Sequence, residues 1–212
     1  MKEIHYTLLT DGSSDKALLP ILSWLLYQHC SDYAIQSEWA DLRRLPRAPK
    51  QLPEKIRTSV ALYPCDLLFV HRDAEGMTRE KRVGEIKQAL VENMAHPPAV
   101  CVVPVRMTEA WLFSDETAIR KAAGNPNGNQ ALELPVMNNI EAQPNPKKIL
   151  YDLLRLASGT TNKRRLKRLA VNSLASHVTK FTSSFAPLRE LAAFRTLEEE
   201  LLKIIADQNW NY

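Results

Sequence analysis

The chain has 212 residues, 45% of them hydrophobic and 25% charged, with a formal net charge of +4. That is an ordinary globular composition with ample chain for a core; disorder and a collagen repeat are excluded. The apolar stretches at 17–26 and 99–105 are too short to cross a bilayer, so no membrane partner is expected. Met1-Lys2-Glu3-Ile4-His5 runs into a strand pattern without the apolar segment of a signal peptide. Cys30, Cys65 and Cys101 form no close pair and predict reduced, buried thiols in a cytoplasmic protein. The five histidines are scattered without zinc spacing. The mild positive charge is compatible with a polyanionic partner.

In chain order, Ile4–Thr10 reads as a strand and Asp11-Gly12-Ser13-Ser14-Asp15 as a turn capping a helix over Ala17–His29, with apolar residues at 18, 21, 22, 25 and 26. Ala34–Trp39 predicts a second strand. Arg43–Pro53, with three prolines and Arg43, Arg44, Arg47 and Lys50, predicts a basic loop. Pro53 opens a helix to about Tyr63 with Ile56, Val60 and Tyr63 on one face. Cys65–His71 is a continuous apolar run, the pattern of a strand covered on both faces. Thr78 caps a helix through Val83, Ile86, Leu90 and Met94. Ala99–Val105 predicts the fourth strand, and Thr108–Ser114 the start of another helix. This alternation predicts an α/β fold with a mostly parallel sheet flanked by helices.

From Gly124 to Pro146 an irregular connection is expected. Helices follow over Pro146–Ala157 and Asn162–Leu174, the latter carrying Lys163, Arg164, Arg165, Lys167 and Arg168, and two more over Ala186–Asp207 meet around Thr196. Residues 1–125 form the expected α/β core and 126–212 a helical annex packed on it. Trp24, Trp39 and Trp111 are expected in the core or an interface, Trp210 and Tyr212 in an exposed tail.

Ligands of open α/β sheets bind beyond the carboxyl ends of the strands. Asp11 and Asp15 follow the first strand, Asp73 and Glu75 the third, and Glu109 the fourth. Carboxylates converging from such ends make an oxygen site for Mg2+ or Mn2+. In an extended backbone Asp73 and Glu75 point the same way, and Gly76 permits the turn that follows. Ordinary structural roles are open to each acid: Asp11 as a turn former, Asp15 as a first-turn acid favoured by the helix dipole, Glu109 as a polar helix residue. Gly12-Ser13-Ser14 could also cradle a phosphate at a helix N-terminus.

Leu8-Leu9-Thr10-Asp11-Gly12-Ser13-Ser14-Asp15 resembles the first TOPRIM motif, a strand ending in an acid and glycine. Leu67-Leu68-Phe69-Val70-His71-Arg72-Asp73-Ala74-Glu75-Gly76 resembles the second, a strand running into an Asp-x-Asp pair. Glu109-Ala110-Trp111-Leu112-Phe113-Ser114-Asp115 is similar to the Glu-Ala-Trp-Leu-x-x-Asp segment of a TOPRIM-like prokaryotic family related to the TOPRIM domains of OLD nucleases. The resemblance covers residues 4–115, with a weaker likeness beyond in the basic helix and Lys180. It implies a TOPRIM-like Rossmannoid core and divalent-metal phosphodiester chemistry. It also implies an ATPase partner of ABC or AAA type in phage or mobile-element defence. Two departures stand out: the usual first-motif glutamate is Asp11, and the second acid of the pair is Glu75.

On this reading Asp11, Asp73, Glu75 and Glu109 are the catalytic and metal-binding residues, with Asp11 as general base or ligand. Lys163, Arg164, Arg165, Lys167, Arg168 and Lys180 hold DNA or RNA. A nuclease is thus expected. The alternatives are a non-catalytic TOPRIM-like module that binds and regulates an ATPase or nucleic acid, and an enzyme acting on a nucleotide or small phosphate. No Gly-x-x-x-x-Gly-Lys-Ser/Thr occurs, so the chain is not itself a P-loop NTPase. Homo-oligomerisation stays open.

Overall fold

The alternating apolar runs of the first half become four parallel strands: β1 (Lys2–Leu9), β2 (Tyr33–Ala40), β3 (Leu67–His71) and β4 (Ala99–Val102), in the order β2-β1-β3-β4. The protein is described from a computed structural model covering residues 2–93 and 95–210. Met94 and Tyr212, expected on a helix face and in an exposed tail, lie outside the described residues. Leu8 pairs with Trp39 on one side and Phe69 on the other, and Val70 pairs with Cys101. Side chains alternate across each strand. Ile4, Tyr6, Leu8, Leu67 and Phe69 therefore enter one core, while Leu9, Leu68 and Val70 enter a second on the opposite face.

The helix α1 (Leu18–His29) covers the first face through Leu18, Ile21, Leu22, Leu25 and Leu26, the predicted positions. The second face is covered by α2 (Leu52–Leu62) through Ile56 and by α3 (Arg79–Val91) through Ile86, Ala89 and Leu90. Thr78 caps α3 as expected, its Oγ1 accepting from the Lys81 amide at 3.3 Å. The helices α4 (Glu116–Ala122), α5 (Met137–Ile140), α6 (Pro146–Ala157), α7 (Lys163–Arg168), α8 (Val171–Phe181) and α9 (Ala192–Asp207) follow. Leu150 and Leu154 of α6, Val178 of α8, and Phe194, Leu197 and Leu201 of α9 join the β1–α1 core.

Several boundaries differ from the sequence reading. Thr108–Trp111 is a single 3-10 turn, not the start of a long helix; α4 begins only after Asp115, whose carboxylate accepts from the Ala118 amide at 3.0 Å. The helix expected over 162–174 breaks into α7 and α8. Asn162 caps α7 by accepting from the amides of Arg164 and Arg165. The α7 segment buries nothing, and its i,i+4 pairs Lys163/Lys167 and Arg164/Arg168 are like charges, so nothing drives it past Leu169. At the C-terminal end the break falls at Leu191, not Thr196; α9 is continuous, and the Thr196 hydroxyl bonds back to the Ala192 carbonyl. Trp210, expected to be exposed, is half-buried against the first core. Among the described residues no helix is long and apolar enough to cross a membrane.

Candidate active site

The carboxyl ends of β1 and β3 lie side by side, so the residues that follow them share a cleft of about 290 Å³. Its floor is a row of three side chains. His71, the last residue of β3, is 2% exposed. Its Nε2 lies 3.0 Å from Thr108 Oγ1 and 3.2 Å from Asp73 Oδ1, and its Nδ1 lies 3.6 Å from Asp15 Oδ2 without a hydrogen-bond partner. Asp15 is itself buried, accepting from the Gly12 amide and the Ser14 hydroxyl, both at 3.0 Å. A Cβ at Gly12 would stand 3.0 Å from Asp15 Oδ2, so glycine is what lets this carboxylate fold back under the turn. That amide is thereby used internally. The phosphate cradle that Gly12-Ser13-Ser14 could have offered is not formed: a four-residue 3-10 turn stands where a longer helix would begin.

Asp73 is fixed through one oxygen only. Its Oδ1 accepts from the Thr108 amide at 2.8 Å and lies 3.2 Å from the Thr108 hydroxyl, whereas among the described residues Oδ2 has no hydrogen bond. The side chain is 26% exposed, enough to face the cleft. Glu75 behaves differently. It has φ +52° and is 74% exposed at the rim, 3.8 Å from Arg82. The expectation that Asp73 and Glu75 project together from extended backbone fails because β3 ends at His71; the left-handed residue of the turn is Glu75 itself, not Gly76.

Asp11 sits where this cleft meets a larger one of about 460 Å³. Lys55 from α2 donates to one oxygen at 2.5 Å and Arg72 to the other at 3.1 Å. Partial burial raises its pKa, but the Lys55 hydrogen bond and charge, with the Arg72 guanidinium, outweigh burial and hold the carboxyl below its ordinary range. Arg72 also reaches Glu85, as does the buried Arg82, whose Nε donates to the Asp73 carbonyl. The cleft thus joins an acidic floor to the guanidinium groups of Arg72 and Arg82.

Glu109 is placed elsewhere. It is buried and paired with Lys147 of α6 at 3.2 Å, and it does not line the cleft. Burial depresses Lys147, but the facing Glu109 carboxylate outweighs it and leaves the ammonium pKa raised. The rest of its motif is architectural. Trp111 is fully buried edge-on to Phe194 of α9 at 5.4 Å, and Asp115 adds to its cap of α4 a contact with the Ser183 amide at 3.3 Å. The five basic residues of α7 are exposed and line none of the acidic cleft. Lys180 lines a neighbouring cavity with Ser13 and Lys16.

The TOPRIM resemblance implies a divalent metal, and the donor set bears on that directly. Among the described residues no group of three or more His, Cys, Asp or Glu side chains is placed to hold an ion. Asp11 and Glu109 are taken by cations and Glu75 is turned to solvent. A closed cage does not fit. An ion that keeps most of its waters and is held through one carboxylate plus a substrate phosphate does fit: Asp73 offers a free oxygen, while Asp15 lies across the His71 ring with both oxygens accepting hydrogen bonds. Residues that sequence reasoning left out of the site are His71, Thr108, Lys55, Arg72 and Arg82. The available signal was His71, a polar residue ending a fully buried strand.

No curated protein and no solved structure matches the chain. A family model described as a domain of unknown function, DUF4276, matches residues 12–180, a span holding the acidic cleft apart from Asp11, the Glu109–Asp115 motif and the basic helix. Covering well over half of the sequence, this match makes the chain a member of the DUF4276 family.

Proposed function

We propose that this chain is a divalent-metal-dependent phosphodiesterase of TOPRIM type acting on DNA or RNA. The observation that carries the reading is the row Asp15–His71–Asp73 on the floor of a cleft lined also by Arg72 and Arg82, with Lys55 in the adjoining cleft across Asp11. Asp73, through its free Oδ2, would hold a hydrated Mg2+ or Mn2+, and Asp15 would orient the His71 ring from its far side. Held there, such an ion would polarise a phosphoryl oxygen and acidify a water. Thr108 orients Asp73 through its amide and hydroxyl. His71 touches both acids and is buried, which makes it a positioning residue. Lys55 and Arg72 receive the substrate phosphate by exchanging part of their pairing with Asp11 for it. Asp11, ionised and doubly paired, holds these cations rather than taking a proton. The unpaired cysteines add to the proposal a cytoplasmic setting, and the resemblance adds an ABC- or AAA-type ATPase partner in phage or mobile-element defence.

A second reading, a non-catalytic module that binds an ATPase or nucleic acid, draws on one observation: the Asp11 and Glu109 carboxylates are occupied by Lys55, Arg72 and Lys147. Incubation of end-labelled single-stranded and duplex DNA and RNA with the protein and Mn2+ or Mg2+ separates the two. Cleavage that Asp73→Asn lowers about a hundredfold or more is the expected result. Equal cleavage by Asp73→Asn would overturn the metal-site assignment, and no cleavage of any substrate favours the binding module.

A further inference from the structure

Beside the acidic cleft lies a separate cavity of about 310 Å³, between the turn that follows β1 and the helix α8. Ser13, next to Gly12 and Ser14 of the acidic cleft, belongs to its wall, so the two recesses adjoin. Lys16 enters from the turn, and His177 and Lys180 enter from α8, three residues apart and hence on one helix face. Lys180 is exposed; Lys16 is also exposed, with its ammonium 5.5 Å from the Trp39 ring centre. Leu19 and Pro20 supply an apolar wall.

Thr179 also lines this cavity, is 2% exposed, and its hydroxyl has no hydrogen-bond partner among the described residues. A helical threonine ordinarily returns its hydroxyl to the carbonyl one turn back, as Thr182 and Thr196 do here. A buried hydroxyl without a protein partner keeps its hydrogen-bonding capacity, and beside a recess lined by two lysines it is available to an oxygen-rich ligand.

We propose that this cavity is a second phosphate site, taking the phosphate of a nucleotide, with Lys16, Lys180 and Thr179 as its ligands and Leu19 and Pro20 against the sugar or base. The proposal rests on the nucleic-acid reading of the adjoining cleft and adds a subsite that sets which strand passes the acidic floor. The phosphate has two sources, a diester within a strand or a free nucleotide.

The test uses binding without metal, so that it is independent of cleavage. A fluorescein-labelled single-stranded dodecamer is titrated with protein in EDTA, followed by anisotropy at several salt concentrations. The Lys16→Gln/Lys180→Gln variant is expected to bind about tenfold more weakly or worse, with a salt slope smaller by roughly 0.7 for each phosphate that is no longer neutralised. Thr179→Val is expected to weaken binding about threefold without lowering the melting temperature, because it removes an unpaired hydroxyl rather than a packing group. Calorimetry with a nucleoside monophosphate assigns the source: heat that the double-lysine variant abolishes identifies free nucleotide, and binding of the strand alone identifies the diester. Wild-type affinity in both Lys16→Gln/Lys180→Gln and Thr179→Val would overturn the proposal. Strand binding abolished in these variants while wild type cleaves nothing would leave this site standing and remove the nuclease reading.

Discussion

Lys147→Met isolates the assignment of Glu109 to the architecture. The substitution keeps the length and apolar stem of the side chain but leaves the buried Glu109 carboxylate, 8% exposed, facing no cation. Breaking a fully buried ion pair costs about 3–5 kcal/mol, and breaking an exposed one roughly 0.2–1 kcal/mol. Lys147 is 45% exposed, so solvent screens its half of the interaction and the cost falls between these limits, at about 2 kcal/mol. For a chain of this size that corresponds to a loss of about 4–8 °C in melting temperature. Thermal unfolding followed by circular dichroism reads this directly. The double variant Glu109→Gln/Lys147→Met removes the stranded charge together with its partner and should regain more than half of the loss. Glu109→Gln alone should leave Mn2+ binding unchanged. A single Lys147→Met variant that melts with wild type, or a Glu109→Gln variant that no longer binds Mn2+, would refute the reasoning.

Three further outcomes follow from the packing of the annex. Glu198 is held below its ordinary pKa of 4.5, first by the hydrogen bond from Arg189 and further by His29. Its pairing therefore contributes fully above pH ~4.5 and is lost as pH falls through the lower folded value; Glu198→Gln should flatten the acid limb of a stability-against-pH curve in that interval. Phe194→Ala empties the space beside Trp111 and should cost about 3–5 kcal/mol in chemical denaturation. Asp115→Ala removes the α4 cap and the tie to Ser183, and should cost about 1–2 kcal/mol by the same measurement.

The sheet was legible because a parallel strand covered on both faces must be apolar throughout, as Leu67–Val70 is, and α1 because its five core positions repeat at helical spacing. The acidic crevice was legible at Asp11, Asp15 and Asp73 because topology alone brings strand ends together. What sequence could not supply was which cation each acid meets. Glu109 follows a strand end as Asp73 does, yet Lys147, thirty-eight positions later by sequence number, claims it. The spacing of Asp73 and Glu75 implied a shared direction only while the backbone stayed extended, and the left-handed turn at Glu75 cancels it. The division of the basic segment into α7 and α8 was hidden too, since helical propensity is high through 163–168 and it is the absence of a buried face, with the like-charged i,i+4 pairs, that stops the helix.

Calorimetric titration of Mn2+ into the intact protein tests most directly the proposed role of Asp73 as the metal ligand on the floor of the cleft. Saturable binding that Asp73→Asn removes and Glu109→Gln and Glu75→Gln leave in place is the expected result. Binding that survives Asp73→Asn but disappears in Glu109→Gln would contradict the account.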